Sequence, residues 1–65
     1  MWTVRIINSL LGSARFVGPF KSEEAANMYA SGESLRSRKF VAFEVWTGTP
    51  QNPGRPATYK CEGVA

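Results

Sequence analysis

The sequence lacks histidine and aspartate altogether and contains a single cysteine, Cys61. Without imidazole groups, Ser–His–Asp and Cys–His arrangements and histidine-based acid–base chemistry are excluded, and most transition-metal sites lose their usual ligands. The remaining reactive groups are glutamates, lysines, tyrosines and one thiol. We therefore expect a protein that is not an enzyme and that carries no cofactor and no metal site.

A single cysteine also excludes an intramolecular disulfide, and small secreted domains of this length usually carry several. No apolar run approaches the ~20 residues that span a bilayer. The first residues alternate polar and apolar side chains, which is not the pattern of a signal peptide. These absences predict a cytoplasmic protein that has no membrane partner.

The chain has 65 residues and a formal net charge of +3, which predicts one small domain spanning residues 1–65. A chain of this size buries only ~60% of the surface that its unfolded form exposes, so its core must come from a few large side chains. The mild positive charge is compatible with an acidic protein or a nucleic acid as partner, and it does not choose between them.

The first twenty residues predict a β-hairpin. Residues Trp2 to Ile7 alternate apolar and polar side chains with a period of two, which is typical of a half-buried strand. Turn-forming residues follow, and Ala14 to Val17 predict a second strand. We expect Gly18 and Pro19 to end that strand, because proline cannot donate a ladder hydrogen bond.

A helix is predicted from Ser22 to Ser31. Ser22 is a good N-cap residue, and the glutamates that follow it favour the positive end of the helix dipole. Those glutamates also disfavour a phosphate at this helix end, so the segment before the helix is interpreted as a structural corner. Gly32 is the expected C-terminal cap. The apolar spacing predicts a buried stripe of Ala25, Met28, Tyr29 and Gly32.

The third strand is the strongest strand signal in the chain. Residues Phe40 to Thr47 are apolar on both faces, which is typical of a central strand. Alternation along this strand predicts one face of Phe40, Ala42, Glu44 and Trp46 and another of Val41, Phe43, Val45 and Thr47. A proline-rich loop or arm is expected over residues 48–57, a short fourth strand over Thr58 to Glu62, and frayed residues at 63–65. The predicted fold class is α+β: a three- to four-stranded antiparallel sheet, ββαβ with a short further strand, and one helix on one face.

The segment "RFVGPFKSEEAANMYA", from Arg15 to Ala30, resembles the strand-to-helix segment of the SPOR peptidoglycan-binding domain. The chain lacks the two-repeat layout of that family. A broader likeness, which includes the apolar start and the strand after the helix, is to small accessory proteins of tailed phages that infect actinobacteria. The phage resemblance implies a protein that acts in the cytoplasm of a bacterial host by binding a host protein.

Surplus apolar surface on the third strand predicts a protein interface. One helix covers one sheet face, and large uncovered apolar patches usually mark contact sites. The sequence leaves three alternatives for what covers the other face: a partner protein, a second copy of the chain in a homodimer, or the proline-rich arm. The candidate interface residues are Phe40, Phe43, Val45 and Trp46.

A basic cluster of Arg36, Arg38 and Lys39 supports a different hypothesis. These cations could contact the phosphates of a nucleic acid, with Arg5 and Arg15 close by in space. The simpler interpretation is a solvated loop whose charges pair with Glu33 and Glu44. The sequence alone favours a protein partner and keeps nucleic acid as the alternative.

Overall fold

The computed structural model describes residues 1–65 and contains one helix and four strands. The strands form one antiparallel sheet in the order β2-β1-β3-β4. This arrangement confirms the predicted α+β class, and the fourth strand is present. No helix is both long enough and apolar enough to cross a bilayer. The elements, in chain order, are β1 (Trp2–Asn8), β2 (Ser13–Phe20), α1 (Glu23–Ser34), β3 (Val41–Trp46) and β4 (Pro56–Glu62).

The β1–β2 hairpin is closed by a short turn in which the Asn8 side chain accepts a hydrogen bond from the Leu11 amide at 3.0 Å. Strand β2 does not end at Gly18 and Pro19 as predicted, but continues to Phe20. The reason is its position at the edge of the sheet, where a proline without an N–H group is tolerated.

Helix α1 starts where the sequence predicts and ends later. Ser22 caps it, with its side-chain oxygen accepting from the Ala25 amide at 3.1 Å. The helix continues past Ser31 to Ser34, so Gly32 lies inside it and Leu35 is the C-cap residue. The extra turn is held by tertiary contacts that propensity does not reveal, including a 3.2 Å hydrogen bond from the Val64 amide to the Ser34 carbonyl.

The buried side of α1 differs from the predicted stripe. Ala25 is exposed and Met28 is 69% exposed, whereas Tyr29 is half-buried. Small side chains let the helix lie close to the sheet, while the bulk of the core comes from the strands. The buried residues of the helix are Ala26, Ala30 and Ser34.

The core lies between α1 and the two central strands. Val4 from β1 and Phe43 and Val45 from β3 are at most 1% exposed, and they pack with Ala26 and Ala30 of the helix. The prediction that the third strand is central is confirmed.

The last three residues are anchored, and the prediction that residues 63–65 fray is wrong. Gly63 is buried, and its amide donates to the Val41 carbonyl at 2.9 Å. The Ala65 amide donates to the Ser37 carbonyl at 2.9 Å, and the Ala65 carbonyl accepts from the Lys39 amide at 3.2 Å. The terminal segment therefore ties the end of the helix to the start of β3.

The proline-rich segment forms a closed loop between β3 and β4. Hydrogen bonds join Thr47 to Arg55 at 3.0 Å and Gly48 to Pro53 at 2.7 Å. Strand β4 begins at Pro56, two residues before the predicted start. The loop bonds to itself, so these contacts extend the β3–β4 hairpin.

Candidate functional site

The sheet has one face that α1 does not cover, which we call the open face. Phe43 and Val45 point towards the helix, and side chains alternate along a strand. Ala42, Glu44 and Trp46 of β3 therefore point to the open face. Residues directly opposite them on neighbouring strands share that face.

The register defines three cross-strand rows on the open face. The middle row consists of Phe16, Arg5, Glu44 and Lys60, and its last three members alternate in charge. The row on one side consists of Ala14, Ile7, Ala42 and Glu62, of which only Glu62 is charged. The row on the other side contains Thr3, Trp46 and Pro56.

Trp46 is the centre of a cluster on this face, which we call the Trp46 cluster: Arg5, Phe16, Glu44 and Trp46. The indole Nε1 donates to Glu44 Oε1 at 3.1 Å, and the same oxygen lies 3.3 Å from Arg5 Nη1. The Arg5 guanidinium carbon is 5.7 Å from the centre of the indole ring. Phe16 meets the indole edge-to-face at 5.4 Å. The indole N–H and the Arg5 guanidinium are thereby both paired with Glu44, while the Phe16 and Trp46 rings stay partly accessible to solvent.

Beneath the cluster, Thr3 is completely buried although it belongs to the open face. Its hydroxyl donates to the Val17 carbonyl at 2.8 Å, so it is a satisfied buried polar group. This bond ties β1 to β2 directly opposite Trp46 and fixes the backbone that carries the cluster.

The four predicted interface residues do not lie on one surface. Phe43 and Val45 are buried against the helix, so the prediction that they contact a partner is wrong for the folded chain. Trp46 belongs to the open face, and Phe40, just before β3, is 37% exposed. Strand alternation separates the two sets, because residues of opposite parity point to opposite faces.

Of the three cations in the predicted basic cluster, one is engaged in an ion pair. Arg36 forms a 2.6 Å ion pair with Glu33, as the simpler interpretation expected, whereas Arg38 and Lys39 are exposed. Arg5 lies on the open face and pairs with Glu44, so it is not near the cluster.

Arg15 is closer to the basic cluster, because it lines a cleft together with Glu33 and Ser37. This cleft, of about 390 Å³, lies between the far end of the β1–β2 hairpin and the end of α1. Its apolar side is formed by Ile6 and Phe43.

Cys61 lies in edge strand β4 and faces the helix. It is half-buried, with its sulfur 3.7 Å from the Ala30 carbonyl oxygen. The thiol packs against the core and takes no part in the open face.

Sequence reasoning missed Arg5, Phe16 and Glu44 as partners of Trp46. The alternation along the third strand predicts that Glu44 and Trp46 share a face, but it does not predict which residues of the neighbouring strand lie opposite them. A search for cross-strand pairs of opposite charge is the signal that would have suggested Arg5 and Glu44.

Comparisons of the chain with protein families, with curated proteins and with solved structures give no significant match.

Proposed function

We propose that this protein is a non-enzymatic binding module that engages a protein partner through its open face. The observation that carries the proposal is the Trp46 cluster. Tryptophan, arginine and other aromatic residues are the side chains that most often dominate binding energy at protein interfaces. The hydrogen bond and ion pair to Glu44 hold the indole and guanidinium in place, which lowers the entropy cost of ordering them on binding.

The charges of the open face favour a protein over a nucleic acid. The side chain of Arg5 pairs with Glu44, and Lys60 has Glu44 opposite it and Glu62 two residues away on the same strand. The face therefore carries equal numbers of cations and carboxylates. A polyanion gains little from such a surface, whereas a mixed polar and aromatic surface is typical of protein contacts.

The absence of histidine and aspartate supports a binding role over catalysis. The carboxylate at the centre of the open face, that of Glu44, is already engaged by Arg5 and Trp46. On the resemblance to phage accessory proteins, we propose a host protein as the partner and the bacterial cytoplasm as the place of action.

Replacing Trp46 with alanine is expected to weaken partner binding by about thirtyfold or more, since a tryptophan hot spot contributes at least ~2 kcal/mol. The protein would be immobilised, exposed to an actinobacterial lysate, and the retained proteins identified by mass spectrometry. Each retained protein would then be purified and titrated against the parent and the variant. Trp46→Leu is the companion variant, because it keeps an apolar side chain on β3 and removes only the ring.

The matched control is Leu10→Ala, which removes an exposed apolar side chain from the hairpin turn. Thermal melts of each variant verify that the fold is intact. A partner that binds the parent, the Leu10 variant and the Trp46 variants equally would rule out the open face as the binding surface.

Nucleic-acid binding is the second candidate, and one observation favours it. Arg38 and Lys39 are exposed beside Arg36, and Arg15 lines the neighbouring cleft with Ser37. Four cations thus lie around the end of α1, away from the open face.

This candidate makes a quantitative prediction. Two or three phosphate contacts give a log–log slope of affinity against salt of about −1.8 to −2.7 for duplex DNA, measured by fluorescence anisotropy. The Arg36→Ala/Arg38→Ala/Lys39→Ala variant should flatten that slope towards zero. The control Lys21→Ala/Arg55→Ala/Lys60→Ala removes the same charge elsewhere and should leave the slope unchanged. Equal flattening by both variants would mean that net charge alone attracts the DNA.

A further inference from the structure

The outer side of α1, together with its C-cap residue Leu35, carries an apolar stripe that does not contribute to the core. We call it the outer stripe: Ala25, Met28, Gly32 and Leu35. Met28 is 69% exposed and Leu35 is 70% exposed. Neither belongs to the core or packs against it. The spacing of three, four and three residues places all four on one side of the helix, as in the seam of a coiled coil.

Small and large residues alternate along the outer stripe, in the order Ala25, Met28, Gly32, Leu35. At Gly32 an added Cβ would meet no atom within 4 Å. Gly32 is half-buried, and no side chain fills the space above it, so the stripe has a notch between the Met28 and Leu35 side chains.

This pattern is complementary to itself under a two-fold axis. When two copies of the helix run antiparallel with residue 30 at the centre, position 28 lies opposite position 32 and position 25 opposite position 35. Met28 then meets Gly32 of the second copy, and Leu35 meets Ala25. All four layers pair a large side chain with a small one, which lets two helices approach closely and pack without voids.

We infer that a second copy of this chain docks on the outer stripe and forms a two-fold antiparallel helix pair. The sequence leaves open a homodimer through the sheet, with Phe40, Phe43 or Trp46 near its interface. Because Phe43 is buried, the helix is the better self-complementary surface. The open face stays free in such a dimer, so each dimer offers two copies of it to a partner.

The size of the stripe limits the strength of the pair. Twelve residues make a helix only about 18 Å long, which is short for the ~800 Å² per partner of a standard interface. We therefore expect a reversible dimer whose population rises with protein concentration in sedimentation velocity experiments, at micromolar to millimolar protein.

The decisive variant is Gly32→Met. It fills the notch and adds apolar surface, and its Cβ clashes with no neighbouring atom, since nothing lies within 4 Å of it. Thermal melts of the variant verify that the monomer fold is intact. Specific pairing predicts that the dimer dissociation constant rises about tenfold or more. Stronger association of this variant would overturn the inference, since it would indicate non-specific contact between apolar patches.

The exchange variant Met28→Gly/Gly32→Met provides the rescue. It has the composition of the parent, keeps one glycine in the helix and restores a large residue opposite a small one. We expect its dissociation constant to return to within a few fold of the parent value. Failure to regain pairing while the helix content by circular dichroism is unchanged would overturn the proposed register.

Met28→Lys and Leu10→Lys form a matched pair, because the two parent residues are 69% and 71% exposed. Only the first should abolish the dimer. A parent that stays monomeric at millimolar concentration would overturn the inference, as would a dimer that Trp46→Ala dissolves and Gly32→Met does not. The last result would place self-association on the open face.

Discussion

Replacing Phe43 with alanine is expected to leave the chain largely unfolded at 25 °C. Phe43 is the largest of the fully buried side chains, and it lies on the central strand β3, where it packs in the core with the helix and is paired with Cys61 of β4. Truncating a buried phenylalanine costs about 3–5 kcal/mol. A core of this size, without a disulfide or metal, seldom supplies more than ~3–5 kcal/mol in total. Urea titration followed by tryptophan fluorescence and circular dichroism measures the loss.

Phe40→Ala is the matched control, because Phe40 is 37% exposed and its removal should cost about 1 kcal/mol or less. The comparison separates the effect of a buried phenylalanine in β3 from that of a partly exposed one just before the strand. If Phe43→Ala melted like the parent, the packing of β3 against the helix would be refuted.

Gly63→Ala is expected to destabilise the protein by about 2–4 kcal/mol, a large effect for a position two residues from the last described residue. A Cβ at this position would overlap the carbonyl oxygens of Arg38 and Ser37. Both are backbone atoms, so no side-chain rotation relieves the clash. The terminal segment must move away, and its hydrogen bonds to Ser34, Ser37 and Val41 are lost.

Two further variants serve as references for the Gly63→Ala measurement. Gly32→Ala is the same chemical change in open space and should stabilise the helix by up to about 1 kcal/mol. Deleting residues 63–65 removes all contacts of the terminal segment. The loss of unfolding free energy in this deletion sets the upper limit for the loss caused by Gly63→Ala. Guanidinium or urea melts at low micromolar protein give all three values. A Gly63→Ala protein as stable as the parent would contradict the anchoring of the terminal segment.

Local signals in the sequence predicted much of the fold. Ser22 is the N-cap as predicted, and the alternation along β3 separated Phe43 from Trp46 correctly. The helix face was predicted wrongly, because Ala25, Met28 and Gly32 have the same periodicity as Ala26 and Ala30. Periodicity does not tell which of two apolar stripes faces the sheet, and close packing selects the one with smaller side chains.

Two further errors concern partners that are distant in sequence. The Trp46 cluster depends on Arg5 lying opposite Glu44, a pairing set by the register of strands far apart in the chain. The terminal segment is held by backbone hydrogen bonds, which any residue except proline can donate. Such contacts leave no pattern of side-chain types for sequence reasoning to detect.

The strand order has a consequence for how the chain folds. Strand β1 is made first, yet it lies inside the sheet, and one of its two neighbours is β3, with Thr3 paired to Trp46. At a synthesis rate of about 5–20 residues per second, roughly 2–9 s separate the two residues. During that interval the hairpin and helix can form locally, while one edge of β1 has no partner. Pairing between distant strands is slow, so the nascent chain exposes an apolar strand edge that favours aggregation until β3 has left the ribosome.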